Sequence, residues 1–308
     1  MSTGIVGRVP VIDVRDLQKT YGDVTAVAGV TFSVEPGEVF ALLGPNGAGK
    51  STTVEILEGH RTATAGHVRV LGVDPADADR TYRDRIGIVL QSAGIERELS
   101  VREALELYGS YYRRPRPVGE VLDLVGLGEK ADDRVKTLSG GQQRRIDLAL
   151  GIIGDPEVLF LDEPTTGFDP SARRRSWDLL SDLRSLGTTI LLTTHYMDEA
   201  QHLADRVGVI ADGRIVASGT PDELIGVSTT TVSFRLPPGT GGHDLPALPA
   251  APVLHGPVVE YATDEPTATL YVLTRWAMDR GEELTDLSVH RPSLEDIYLQ
   301  LTEREARP

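Results

Sequence analysis

The stretch GPNGAGKST, running from Gly44 to Thr52, constrains this chain more than any other. It fits the pattern G-x-x-x-x-G-K-[ST], follows the apolar run Val39 to Leu43, and precedes STTVEILEG, which reads as a helix stopping at Gly59. Strand, glycine-rich turn and helix in that order make a cradle for phosphate. Gly44, Pro45, Asn46, Gly47, Ala48 and Gly49 form the turn, and its glycines let backbone N–H groups converge on phosphate oxygens. The helix N-terminus adds partial positive charge. Lys50 would place its ammonium against the β and γ phosphates of a nucleotide. Ser51 would offer a hydroxyl to Mg²⁺, and Thr52 would support the phosphates and the loop.

A second element, VLFLDEP from Val158 to Pro164, is a buried strand by pattern that ends in two acids. Asp162 suits Mg²⁺, held directly or through water. Glu163 lies one residue on, so its side chain points elsewhere and can serve as base or polariser for a water facing the γ phosphate. A third element, LSGGQQRR from Leu138 to Arg145, sits where a loop becomes a helix. Ser139 is a natural N-cap, and Gly140 and Gly141 leave backbone N–H groups open ahead of Gln142. That is a second phosphate-binding surface, or an ordinary helix cap.

Around these elements the pattern alternates. Residues 11 to 34 read as strands broken by a turn at Tyr21, Gly22 and Asp23. Further short strands are predicted at 68–70, 86–90, 158–161, 190–193 and 207–210, with a helix at 172–186 and a hairpin turning at Asp212-Gly213. Between Glu96 and Gly154 the spacing is helical, with Pro115 and Pro117 separating two of the helices. The expectation is an α/β core, residues 1–219, with an inserted helical subdomain at about 92–155. A small α+β domain would follow at 220–308. In it TTTVSFRL and TLYVLT read as strand patches flanking a Pro/Gly-rich stretch, and SLEDIYLQLTER reads as a terminal amphipathic helix.

Composition narrows the function. There is no cysteine, which excludes disulfides, thiolate metal sites and cysteine nucleophiles. The formal charge of −15 opposes broad contact with nucleic acid. The most apolar stretches, such as 146–154, are too short to span a bilayer, and residues 1–14 lack the apolar core of a signal peptide.

Taken together, GPNGAGKST, VLFLDE and the full LSGGQ string at 138–142 resemble the ATP-binding cassette (ABC) ATPases, over roughly residues 11–219. The resemblance implies a P-loop NTPase ABC-type core, with ATP and Mg²⁺ as ligands. It makes Tyr21 the aromatic that stacks on adenine and Gln91 the glutamine that reaches the metal and the attacking water. Asp169 becomes the aspartate of the loop after the acidic strand, and His195 the histidine that contacts the γ phosphate. It further implies two cassettes packed head to tail as a homodimer, with Ser139 and Gly141 of one facing the nucleotide held by Lys50 of the other. A separate membrane permease would be the partner, with the chain docked peripherally at the cytoplasmic face through Gln91 and the segment after it.

More narrowly, LYGSYY at 107–112, the stretch 137–170 and PSLEDIYLQLT at 292–302 are similar to ABC-2 type exporter ATPases, especially the daunorubicin-resistance branch. That implies efflux of a drug or antibiotic. Phe168 stands where much of the superfamily has leucine. Two other readings stay open: a soluble ABC ATPase of translation or nucleic-acid maintenance, and the ATPase of an importer. Single-cassette length without a coiled-coil insertion, and the tail, favour the exporter.

Overall fold

A computed structural model describes residues 9–89, 94–168, 170–185, 187–225, 229–237, 239–290 and 294. The chain divides into two compact units, Met1–Pro221 and Asp222–Pro308.

In the first unit, β1 (Ile12–Tyr21) and β2 (Val24–Val34) form a hairpin through Gly22, and β3 (Val39–Leu43) leads through the glycine turn into α1 (Lys50–Leu57). Then come β4 (Ala65–Val70), α2 (Arg80–Arg83) and β5 (Ile86–Val89). The helical insertion holds α3 (Val101–Gly109), α4 (Val118–Leu124) and α5 (Gly140–Ile152). It is followed by β6 (Val158–Asp162), α6 (Pro170–Ser185), β7 (Thr189–Thr194), α7 (Met197–Leu203), β8 (Arg206–Ala211) and β9 (Arg214–Gly219).

Six strands form the central sheet in the order β5-β6-β7-β3-β8-β9, parallel except for β9. A strand in such a sheet is covered on both faces, so its pattern need not alternate. All five residues of β3 and all six of β7 are accordingly buried. β9 can return antiparallel because Asp212 and Gly213, with φ of 46° and 73°, make a tight left-handed turn. The hairpin β1–β2 and β4 form a separate antiparallel sheet, order β2-β1-β4. Phe32 of β2 stacks on Phe40 of β3 with ring centroids 4.9 Å apart, joining the two sheets in one core.

The inserted helices obey their local signals. Ser100 caps α3: its hydroxyl accepts from the Glu103 N–H at 3.1 Å, and the Glu103 carboxylate accepts from the Ser100 N–H at 2.8 Å. Helix α5 lies close against β5 because glycines meet there. A Cβ at Gly87 would stand 2.1 Å from the Gly151 carbonyl oxygen. Gly87→Ala is therefore expected to lever α5 off the sheet and destabilise the unit by about 1–3 kcal/mol, read as a fall of several degrees in the thermal unfolding midpoint.

The second unit contains α8 (Pro221–Ile225, whose first residue belongs to the first unit), β10 (Thr230–Arg235), β11 (Val253–His255), β12 (Val258–Thr263), α9 (Pro266–Asp279) and β13 (Thr285–His290). Its four strands form an antiparallel sheet in the order β11-β12-β10-β13. Val232, Phe234, Val259 and Tyr261 bury one sheet face against Leu273, and the half-buried Trp276 packs beside them, its indole N–H donating to the Asp244 carbonyl at 2.9 Å.

One expectation fails here. TLYVLT is not a strand but the middle of α9. Its β-branched and aromatic residues imitate a strand locally. The longer period decides otherwise: Thr269, Leu273 and Ala277 are buried four residues apart, Tyr271 faces solvent, and Pro266 opens the helix. The Pro/Gly-rich stretch conceals β11, and neither β12 nor β13 is predicted from the sequence. Of the tail 292–302, only Leu294 belongs to the described residues, so the helix expected there and Tyr298 lie outside them.

Candidate functional site

The order β6-β7-β3 decides which chain segments meet. Register pairs Leu43 with Thr194 and Asp162 with Thr193, so the three strands end level at their carboxyl edge. Gly44, Glu163 and His195 are each the next residue after a strand end, and they emerge side by side. Ligands of open α/β sheets gather at this edge.

The turn from Gly44 to Gly49 carries the chain into α1. Gly49, the N-cap of α1, has φ of 99°, and a Cβ there would meet the Ala26 carbonyl oxygen at 2.5 Å, so glycine is required on both counts. Lys50 is buried, with 4% of its surface exposed. Its ammonium donates to the carbonyls of Gly44 (2.9 Å) and Pro45 (3.1 Å) and lies 3.5 Å from Glu163 Oε1. Burial pulls the Lys50 pKa below its ordinary value, with Glu163 and Asp162 opposing that shift. Ala26, Asn46, Gly47, Gly49, Lys50, Ser51, Thr52, Asp162 and Glu163 line a cleft of about 480 Å³, room for a phosphate chain.

At the mouth of this cleft Ser51 Oγ donates to Asp162 Oδ1 at 3.4 Å, and Thr193 Oγ1 donates to the same oxygen at 2.6 Å. Hydroxyl and carboxylate are the hard oxygen donors that Mg²⁺ prefers. Among the described residues no group of three or more His, Asp or Glu side chains could hold a metal ion. Ser51 and Asp162 thus fit a cation that takes its remaining ligands from phosphate and water, the usual habit of Mg²⁺.

Glu163 turns away from β6 with φ of 46°, in the left-handed region. Its N–H donates to Thr193, to the carbonyl at 3.2 Å and the hydroxyl at 3.1 Å. Its Oε2 accepts from the Thr166 hydroxyl at 3.1 Å, and His195 Nδ1 lies 3.2 Å from Oε1. Burial pushes the Glu163 carboxyl up, but His195, Lys50 and Thr166 outweigh it and leave the group below the ordinary carboxylate value. It is therefore a carboxylate at neutral pH, able to orient or deprotonate water.

The turn at 139–142 lies at the head of α5. The Ser139 hydroxyl accepts from the Gln142 N–H at 3.4 Å, and the Gln142 side chain returns a bond to the Ser139 N–H at 2.9 Å. Gly140 and Gly141 have open space where a Cβ would stand. Ser139, Gly141 and Gln142 line a separate depression of about 210 Å³ with Arg145, Phe168, Arg175 and Ser176. It shares no lining residue with the Lys50 cleft. Tyr21, at the end of β1, is 40% exposed with Lys19 and Arg61 over its ring at 5.0 and 5.6 Å, and it is not among the residues lining the cleft. Gln91 and Asp169 lie outside the described residues. Sequence reasoning passed over Ala26, Thr166 and Thr193. Only Thr193 carried a signal, as a hydroxyl that follows the apolar run Ile190 to Leu192.

Comparison with known proteins identifies the family. The ABC transporter family profile covers residues 27–166, and the profile of an ABC transporter domain-containing protein-like C-terminal domain covers residues 230–293. The chain is 40% identical to the Nod factor export ATP-binding protein I of Ralstonia nicotianae, over 98% of this chain and 97% of that protein. Among solved structures, cbiO1 of Clostridium perfringens, part of the ABC transporter complex cbiONQ, is 31% identical with a TM-score of 0.65, covering 70% of this chain and 91% of its own. The dimeric structure of MJ0796, a bacterial ABC transporter cassette, is 27% identical with a TM-score of 0.61, covering 68% and 98%. ATP with Mg²⁺ is the ligand pair of such a site. The chain belongs to the ABC transporter family, as an exporter-type ATP-binding subunit of the kind that includes the Nod factor export ATP-binding proteins I, and it is an ATPase.

Proposed function

We propose that two copies of this chain close head to tail on ATP and drive export of a drug or antibiotic through a separate membrane permease. The observation that carries this reading is the presence, on one unit, of two surfaces suited to phosphate with no lining residue in common. A second copy supplies the turn that one copy cannot fold over its own nucleotide. Two identical chains related by a twofold axis then make two equivalent sites.

In the closed dimer Lys50 and the backbone of 44–49 hold the β and γ phosphates, while Ser139 and Gly141 of the other copy cover the γ phosphate. Tyr21 stacks on adenine. Ser51, Asp162 and Gln91 hold Mg²⁺, which when bound neutralises phosphate charge. Glu163 orients water in line with the γ phosphorus and accepts its proton. His195, 3.2 Å from Glu163, fixes that carboxylate and contacts the γ phosphate. Loss of the γ phosphate removes the bridge between copies, and they part. A differential affinity of about 10⁴-fold, about 5.5 kcal/mol, suffices to invert a 1:99 equilibrium between open and closed states.

The domain of residues 220–308 serves dimerisation or regulation. With 14 acidic and 6 basic residues it is unsuited to anionic lipid, so the permease holds the chain at the cytoplasmic face. Relatives named for Nod factor export support an outward direction.

The test is coexpression with the captured permease in a drug-sensitive host. Resistance to at least one drug of a panel should rise several-fold and vanish with Glu163→Gln. Unchanged sensitivity across the panel, with the ATPase active, would remove the drug from this reading. ATP-driven uptake into the cell would remove export.

A further inference from the structure

Glu199, the third residue of α7, lies outside the nucleotide cleft yet is 0% exposed. One oxygen, Oε1, accepts from the Thr165 hydroxyl at 2.8 Å and from the Trp177 indole N–H at 3.3 Å. Thr165 is also 0% exposed, and Trp177 is 8% exposed. These contacts tie three segments together: the loop leaving β6, helix α6, and the helix that starts two residues after His195.

The loop is held from its other side as well. Arg144, on the helix that begins at the serine–glycine turn, donates from Nε to the Pro164 carbonyl at 3.0 Å. Thr166, immediately after Thr165, donates to Glu163 Oε2 at 3.1 Å. Residues 164–166 are thus clasped by α5 through Pro164 and by α7 through Thr165, and the last of them bonds the carboxylate read here as the base. A fully buried carboxyl is a costly way to fill space, and an apolar side chain would do it more cheaply. What only an oxygen can do is accept from Thr165 and Trp177 together.

We propose that Glu199 is a positioning residue, which fixes residues 164–166 so that Glu163 and His195 keep their mutual placement for hydrolysis. It does not line the Lys50 cleft and acts through Thr165. The inference rests on the reading of Glu163 as the base.

The Glu199 carboxyl is pushed above its ordinary value by burial, with the Thr194 and Thr165 hydroxyls, the Trp177 indole and Arg173 opposing.

Three variants of the full chain, Glu199→Leu, Glu199→Gln and Thr165→Val, should be compared with Glu163→Gln for kcat, KM for ATP, and ATP affinity. Glu199→Leu should lower kcat by about 10–100-fold with ATP affinity within twofold, and Glu199→Gln, whose amide oxygen can accept both bonds, should return kcat to within about threefold. Thr165→Val removes a single donor, keeps the shape, and should cost kcat about tenfold. It answers the question even if Glu199→Leu does not fold. The proposal falls if Thr165→Val turns over at the wild-type rate, if Glu199→Gln is no better than Glu199→Leu, or if affinity and kcat decline together. Should these variants be fully active while Glu163→Gln is dead, only the positioning role is lost. Should Glu163→Gln itself turn over normally, both the base and its positioning residue are overturned.

Discussion

Glu163→Gln is expected to lower ATP turnover by about 10²–10⁴-fold while leaving ATP affinity within a few-fold, because general-base assistance is worth that much and the amide cannot take a proton. The substitution is nearly isosteric. Thr166 can still donate to the side-chain oxygen, and the backbone bonds from Glu163 to Thr193 do not involve the side chain at all. What goes is the negative charge that faces Lys50 at 3.5 Å and His195 at 3.2 Å. In the closed-dimer reading, a nucleotide that cannot be cleaved holds the two copies together. The variant should therefore elute as a dimer with ATP and as a monomer without it. A monomer under both conditions, in a variant that still binds ATP, would refute closure on the nucleotide. Substantial residual turnover would take the base role from Glu163.

Lys50→Ala should act on binding first. The ammonium is buried, and its present partners are two carbonyls of its own loop and one carboxylate. A charge-assisted hydrogen bond to phosphate is worth about 1.5–3 kcal/mol, so affinity for ATP should fall by about 10–150-fold, measured by titration calorimetry. Deleting the cation leaves Glu163 with His195 and Thr166, so far-ultraviolet circular dichroism should be unchanged. The same affinity in wild type and variant would exclude Lys50 from the phosphate site. The two substitutions separate cleanly: one keeps the nucleotide and loses the chemistry, while the other loses the nucleotide.

The parts of this site that could be read in the sequence are those whose chemistry is local. A glycine turn between strand and helix, two acids at a strand end and a serine before two glycines all announce themselves within ten residues. Adjacency is different. Nothing in the order of segments says that β6, β7 and β3 lie next to one another, so the meeting of Thr193 with Asp162 and Glu163 had to wait for the register. Glu199 was hidden for a related reason. A carboxyl in a helix written MDEAQHL looks like a solvated face, and only the positions of Thr165 and Trp177, 34 and 22 residues away, make it a buried acceptor. In the second unit the failure was one of period. Six residues of TLYVLT favour a strand, whereas the fourteen of α9 bury one stripe and favour a helix.

The left-handed backbone at Glu163 has a consequence for how this protein can change over evolutionary time. Most side chains lose about 1 kcal/mol or more in that conformation, and glycine loses none. Selection for stability alone would hand the position to glycine and leave Lys50 and His195 without the Glu163 carboxylate. The corner where the chain leaves β6 is thus a standing cost in robustness, tolerated because the same bend turns an acid toward Lys50 and His195.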